Sequence, residues 1–498
     1  MIRKKESELK QQEHATLEKS PRIDPAVYQE LQKPFSKATI KNYVGIVCAA
    51  MSYEGPLSMM FNMFLTFMYT EYLGISAAAM SLVVSASIII DGITDFLMGM
   101  VTDRVRTKYG KMRHWFLWMS LPLAVVAIMV WSPPMNASEV VKLVYVFIVY
   151  NVFCTLMTMV RIPGAAAFTL CTDSDKVRGN LIWVFSIVTS FVGMAGTWII
   201  NPMLNAFGGG APAYRYVIYI FAAFSFVMLN VAFFLTRETK LRGDWEDRDR
   251  VFMASHKREK RENILEQFGY LLRNKWWVIL MLSKVAGGLV MGFNMAVQVF
   301  FLEYVLGSLD YFGLFGSTRI FMIAGAALSV VAINLLDARN LSIVLYAVKA
   351  VFSIVAYLMG ANVWIVLACL CISSLCDGLI QPANGIIISR VVDYGEWKFD
   401  IRQEGLCNSG QSVMGRIGNA VATAVLGIVL TAFGYTGAGT VSAEAAGAIS
   451  FLYLGVPAVC AVLNLVIFLF MRLDGKTVER YRTEIAARRA DTGSAGEG

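Results

Sequence analysis

Beyond about residue 42 the chain is a succession of long apolar runs separated by short polar breaks. Many runs approach or exceed the ~20 residues an α-helix needs to cross a hydrocarbon core. Cutting at the polar breaks predicts twelve spans. The first six fall near 43–70, 78–102, 115–133, 142–170, 180–205 and 214–236. The second six fall near 277–306, 311–336, 341–360, 363–392, 405–434 and 446–472. A transmembrane barrel would read instead as short segments of alternating polarity.

Between the two sets lies "TRETKLRGDWEDRDRVFMASHKREKRENILEQFGYLLRNK", polar and dense in both charge signs. The expected division is a tail at 1–41, a six-helix bundle at 42–236, a linker at 237–276, a second bundle at 277–473 and a tail at 474–498. The fold class is therefore an all-α membrane protein, twelve transmembrane helices in two six-helix bundles, the organisation of the major facilitator fold. The N-terminal tail and the final "ADTGSAGEG" are expected to be flexible.

Composition agrees: 57% of residues are hydrophobic and 16% charged, against about a quarter charged in soluble domains. The net charge of +8 is unevenly placed. Lys and Arg crowd "MIRKKESELK", the loop from Arg104 to Arg113, the linker and "ERYRTEIAARR", whereas the alternate loops are nearly devoid of them. The positive-inside rule then puts both termini in the cytoplasm of a multi-pass plasma (inner) membrane protein. The charge reads as topology rather than nucleic-acid binding. The first forty residues lack an apolar core, so no cleavable signal is expected. The eight cysteines lie in or beside apolar runs without CxxC spacing or a nearby His, which suggests neither zinc nor disulfides. His14, His114 and His256 fall in expected tails or loops, which excludes an intramembrane histidine relay. No nucleophile–base set or cofactor loop appears, so an enzyme is not expected.

A charge at the bilayer centre costs at least ~2.5–3.5 kcal/mol on insertion scales, so each needs a partner or a cavity. The candidates are Glu54, Asp91, Asp95, Arg161, Lys284, Lys349, Asp377, Arg390 and Arg416. Lys284 and Lys349 are placed where a long stem either reaches an interface or pairs within the bundle, and Arg390, close to the cytoplasmic end, where its stem reaches the interface. Asp91 and Asp95, four apart, share one helical face with Thr94 beside them. Two adjacent carboxylates repel in low dielectric, so a proton or a small alkali cation joins them. The competing reading is a static salt bridge to Arg161 or Arg416.

"DGITDFLMGMVTDRVRTKYGKMRHW", "VVDYGEWKFDIRQEGLCNSGQSVMGRIGNAVATAVLGIVLTAFGY" and, between them in order, "YTEYLGIS", "RIPGAAAFTLCTDSDKVRGN" and "FLEYVLG" are all features of this chain. In these it resembles the glycoside–pentoside–hexuronide:cation symporters, the melibiose permease-like family of the major facilitator superfamily. The resemblance runs from about Asn42 to Leu473. It implies cation ligands at Asp91, Thr94, Asp95 and Thr158, with sodium, lithium or a proton as coupling ion and no other cofactor. It implies a basic residue at Arg416 and a polar pair at Gln411 and Ser412.

The departures are informative. The family's helix I acid corresponds to Gly55, with Glu54 alongside; its helix IV acid corresponds to Arg161, and the Asp before its loop motif to Arg390. Three arginines then suit an anionic sugar, because Arg holds a carboxylate bidentately. Against this, Arg161 would merely neutralise Glu54 or the Asp pair. Glu54, Arg161, Gln411, Ser412 and Arg416 are the expected substrate contacts.

A cytoplasmic gate is expected between Asp103, Arg104, Lys111 and Arg113 of one half and Asp393, Glu396, Arg402 and Glu404 of the other, with a solvated surface as the alternative. The expected function is cation-coupled import of a glycoside, oligosaccharide or hexuronide by alternating access, by a monomer in the lipid bilayer. The alternative is a lysolipid or other amphiphile transporter of the same superfamily.

Overall fold

The structure, a computed structural model, describes residues 40–494 except 106, 108, 110–111, 135–136, 171–174, 237–263, 361, 400–402, 434 and 436–440. Twelve helices among the described residues are long and apolar enough to cross a membrane. In the first half they are α1 (Ile40–Glu71), α2 (Ala77–Arg104), α3 (Arg113–Val130), α4 (Glu139–Leu170), α5 (Asp175–Ala206) and α6 (Gly210–Leu235). The second half holds α7 (Lys275–Tyr304), α8 (Leu309–Leu335), α9 (Ala338–Leu358), α10 (Val363–Phe399), α11 (Glu404–Ala432) and α12 (Ala443–Phe470). Helices are the economical answer in lipid because they satisfy every backbone N–H and C=O locally.

The breaks have local causes. Gly74, Gly208–Gly210 and Gly307 turn the chain with positive φ, a region that a Cβ disfavours. Ser76, Asn274, Asp337 and Ser442 then cap α2, α7, α9 and α12 through their side chains. The first span is not one smooth helix. It bends at Glu54–Gly55, restarts at Pro56 and passes through a π-turn at Met60–Phe64. Proline removes an N–H donor and π-turns widen the helix, so the axis shifts. That break leaves Glu54 exposed in the middle of a transmembrane run.

The two halves meet through close helix pairs. Gly427 of α11 packs on Ser81 of α2, and Gly316 and Gly313 of α8 pack on Thr197 and Trp198 of α5. Small residues let helices approach without a hydrophobic driving force. Polar contacts join the halves at the end of these pairs away from the start of α1. There the Glu71 carboxylate accepts bonds from the Tyr304 and Tyr435 hydroxyls. Asn201 Nδ2 donates to Asp310 at 2.9 Å and Trp198 Nε1 to Ser317 at 2.9 Å. Phe64 and Phe67 pack edge-on against Phe312 and Phe300 across the same seam.

Two features depart from the sequence reading. α10 continues to Phe399, past the expected end at 392, so "DYGEWKF" is helical. The C-terminal segment, expected as a tail whose final "ADTGSAGEG" is flexible, carries the helix α13 (Gly475–Ser494), which runs into that stretch. It is held on the end of α10. Arg482 pairs with Asp393 at 2.7 Å, Trp397 Nε1 donates to Glu484 at 2.6 Å, and the Trp397 and Tyr481 rings lie 4.5 Å apart. The approach to α13 is pinned at Asp337, which accepts bonds from Arg390 and from the Gly475 N–H. Burial pushes the Asp337 carboxyl up, but the Arg390 guanidinium and two backbone N–H groups outweigh it and hold it below the usual carboxylate range.

Candidate functional site

Asp91 and Asp95 project from one face of α2 toward α4 and α11, and the opposing residues complete a compact ionic network. Thr158 and Arg161, three apart on α4, present one face of their own. The Thr158 hydroxyl lies 3.0 Å from Asp91 Oδ1 and 2.8 Å from Asp95 Oδ1, so its single proton is shared between the two acids. Arg161 Nη2 sits 3.0 Å from both Asp95 oxygens and 3.7 Å from Asp91 Oδ2. Arg416 reaches across from the other half, with Nη1 donating to Asp91 Oδ2 at 2.7 Å and Nη2 donating to Asp95 Oδ2. Gly92 leaves room for the Arg416 stem, which lies 3.5 Å from where a Cβ would stand. Two carboxylates and two guanidiniums make the network formally neutral.

Thr94 is not turned into this network. Its hydroxyl donates to the Asp91 carbonyl at 3.0 Å, the local bond that a helical Thr makes in its own preceding turn. Of the four residues expected to ligate the cation, the structure brings Asp91, Asp95 and Thr158 together.

The network forms one wall of a cavity of about 950 Å³ lined by both halves. Glu54 enters from the break in α1, and Gln411 and Ser412 line it one turn before Arg416. Glu54 acts electrostatically on Arg161 and on Arg319 of α8. Arg319 lies inside the eighth apolar run and was missed in the sequence reading, although an isolated Arg in such a run is a sufficient signal. Lys349 of α9, also a cavity residue, donates to Asp377 of α10, the pairing within the bundle rather than the reach to an interface. Lys284 of α7 faces the cavity and has no ion pair among the described residues. An aromatic wall was not legible either: Phe61 stacks on Phe153 with centroids 3.7 Å apart and lies parallel to Tyr150 at 6.2 Å, all three lining the cavity.

Several expectations need correction. Arg390 is not a cavity residue; it is bonded to Asp337 and to the Leu473 carbonyl, because the acid that neutralises it lies at the α8–α9 turn. His114 is not in a loop. It is buried in the first turn of α3, with the Trp115 and Trp118 rings 5.0 and 4.9 Å away. Of the expected gate, Lys111, Arg402 and the side chains of Asp103, Arg104 and Glu404 lie outside the described residues. Arg113 stands over the Phe233 ring at 4.5 Å. Asp393 and Glu396 are buried on α10, Asp393 against Arg482 of its own half.

The family profile described as MFS/sugar transport protein matches residues 47–475. The isoprimeverose transporter of Lactiplantibacillus pentosus is 26% identical over 470 residues, covering 93% of this chain and 94% of the relative. The inner membrane symporter YicJ of Escherichia coli (strain K12) is 26% identical over 414 residues, covering 81% and 86%. A glucuronide carrier protein homolog from the same strain is 23% identical over 439 residues, covering 86% and 91%. Among solved structures, a D-xylose-proton symporter superposes with a TM-score of 0.59 at 10% identity, covering 86% of this chain and 97% of that one. That likeness concerns the fold. With twelve spans in two bundles around one central cavity and a profile match over most of its length, the chain belongs to the MFS/sugar transport protein family, multi-pass membrane transporters and not enzymes.

Proposed function

We propose that this chain imports a sugar or glycoside bearing one acidic group, a hexuronide being the simplest case, by alternating access through the central cavity. The carrying observation is the charge of the cavity and its wall. Arg161, Lys284, Arg319, Lys349 and Arg416 are five cations; Glu54, Asp91, Asp95 and Asp377 are four acids, so one positive charge is left over. Arg161 and Arg416 are engaged by Asp91 and Asp95, which supports Arg161 as a charge-balancing residue and leaves Lys284 to meet the substrate's acid. The stacked Phe61–Phe153–Tyr150 wall suits the C–H face of a sugar ring, since aromatic faces offer apolar area with a defined orientation. The relatives' names, isoprimeverose transporter and glucuronide carrier among them, lend support to a glycosidic substrate.

With the Lys/Arg-rich segments in the cytoplasm of the plasma membrane, the end sealed by Glu71, Tyr304 and Tyr435 is the outer one. The conformation is then inward-facing, and the cytoplasmic gate residues would engage across the halves when it reverses. Cation coupling belongs to this proposal: a cation taken at the Asp91–Asp95 pair gives the neutral network a positive charge, which an anionic sugar offsets when both load together.

A thermal-shift and calorimetric screen of hexuronides, neutral mono- and disaccharides and lysolipids tests the reading. A hexuronide is expected to bind, and Lys284→Gln to weaken it about ten- to a hundredfold, the worth of one charge-assisted hydrogen bond at ~1.5–3 kcal/mol. Neutral sugars should change little. Equal losses for charged and neutral sugars would refute the acid-group assignment, and binding of lysolipid alone would favour an amphiphile carrier.

A further inference from the structure

Small metal cations are held by hard oxygen ligands aimed at a common point, carboxylate and hydroxyl oxygens among them. α2 and α4 supply such oxygens in Asp91, Asp95 and Thr158, gathered in one hydrogen-bonded cluster. Arg161 Nη2 lies among the carboxylate oxygens, at 3.0 Å from both oxygens of Asp95 and 3.7 Å from Asp91 Oδ2. Resting on the transport reading above, we infer that the Arg161 guanidinium is a tethered substitute for a metal coupling ion, so that the carboxylate pair takes neither sodium nor lithium.

Three observations converge on this. Arg161 lies one helical turn from Thr158 on the same rigid helix, so its effective concentration at the cluster is far above that of a dissolved ion. The carboxylate oxygens are already engaged from the other side, because Arg416 holds Asp91 Oδ2 and Asp95 Oδ2 and a metal ion would have to displace it to gain a coordination shell. The Thr94 hydroxyl, a further hard oxygen in reach by sequence, is bonded to the Asp91 carbonyl instead. A proton needs one oxygen lone pair and no coordination shell. Of the three ions expected from the sequence, it is the one this cluster can take.

The test needs no sugar. The full-length protein, purified in detergent, is unfolded thermally in choline chloride and in sodium chloride of equal strength. The wild type is expected to show the same midpoint in both. Arg161→Ala removes the tethered cation, leaves the oxygens in place and gives the network a net negative charge. Sodium should then raise the midpoint by a few degrees over choline, by mass action on the folded state, and adding Asp95→Asn should cancel the rise. Arg161→Gln, which keeps the packing of the stem, repeats the experiment if the alanine variant does not fold. A sodium-induced rise in the wild type that Asp95→Asn removes would overturn the inference. So would a folded Arg161→Ala or Arg161→Gln protein indifferent to sodium. A protein that behaves as expected here yet moves no sugar would instead overturn the transport reading and leave the ion assignment standing.

Discussion

Asp95→Asn is expected to abolish gradient-driven accumulation while the protein still inserts into the membrane. Asp95 accepts bonds from Thr158, Arg161 and Arg416 and is the acid on which both guanidiniums converge. Asparagine keeps the shape but leaves two cations facing one carboxylate. The uncompensated charge stands in a poorly hydrated wall, where breaking a buried pair costs several kcal/mol. Asp91 and Asp95 are 20% and 19% exposed, so cavity water screens part of this. A loss of about 2–3 kcal/mol of stability is the corresponding expectation. Coupling suffers more than folding, because the group that would take the cation is gone. Concentrative uptake equal to wild type in Asp95→Asn would remove the carboxylate pair from the coupling mechanism.

Arg416→Gln is the second large effect. Arg416 is the residue of this network that crosses from α11 to α2, and so it ties the two halves at the depth of the cavity. Its loss leaves the two acids with Arg161 alone, and their mutual repulsion returns. The variant is expected to be destabilised by about 2–3 kcal/mol, measurable as a lower thermal midpoint. Pairing it with Asp91→Asn restores neutrality and should recover most of that loss, the non-additivity expected of residues in one network. Additive losses in the double variant would mean that Arg416 acts independently of Asp91.

The spans were readable because each must bury some twenty apolar residues, a constraint local to the run that carries it. Asp91 and Asp95 were readable for a related reason: acids four apart in an apolar run violate the local pattern and require an explanation, whereas Thr158 was reached only through the family resemblance. What the sequence concealed is set by tertiary pairing. Arg390 looked like a third cavity cation until Asp337, 53 positions away, claimed it. α13 looked like a polar tail, since its helix is held by Asp393 and Trp397 on another element rather than by an apolar stripe. Glu54 owes its exposure to Gly55, Pro56 and the π-turn, a combination whose effect on the axis no hydropathy window registers. The aromatic wall is the same kind of case, because Phe61 and Phe153 meet only when α1 and α4 pack.

The most direct test of transport is accumulation of a labelled hexuronide in membrane vesicles carrying this chain, under an imposed inward proton gradient and without sodium. The groups that would respond are Asp91 and Asp95, faced by Thr158 and Arg161 from α4 and by Arg416 from α11. The predicted result is concentrative uptake that a protonophore collapses, that Asp95→Asn lacks and that replacing choline by sodium leaves unchanged. Equal label inside and outside whether or not the gradient is imposed, in vesicles shown to hold the folded protein, would contradict it.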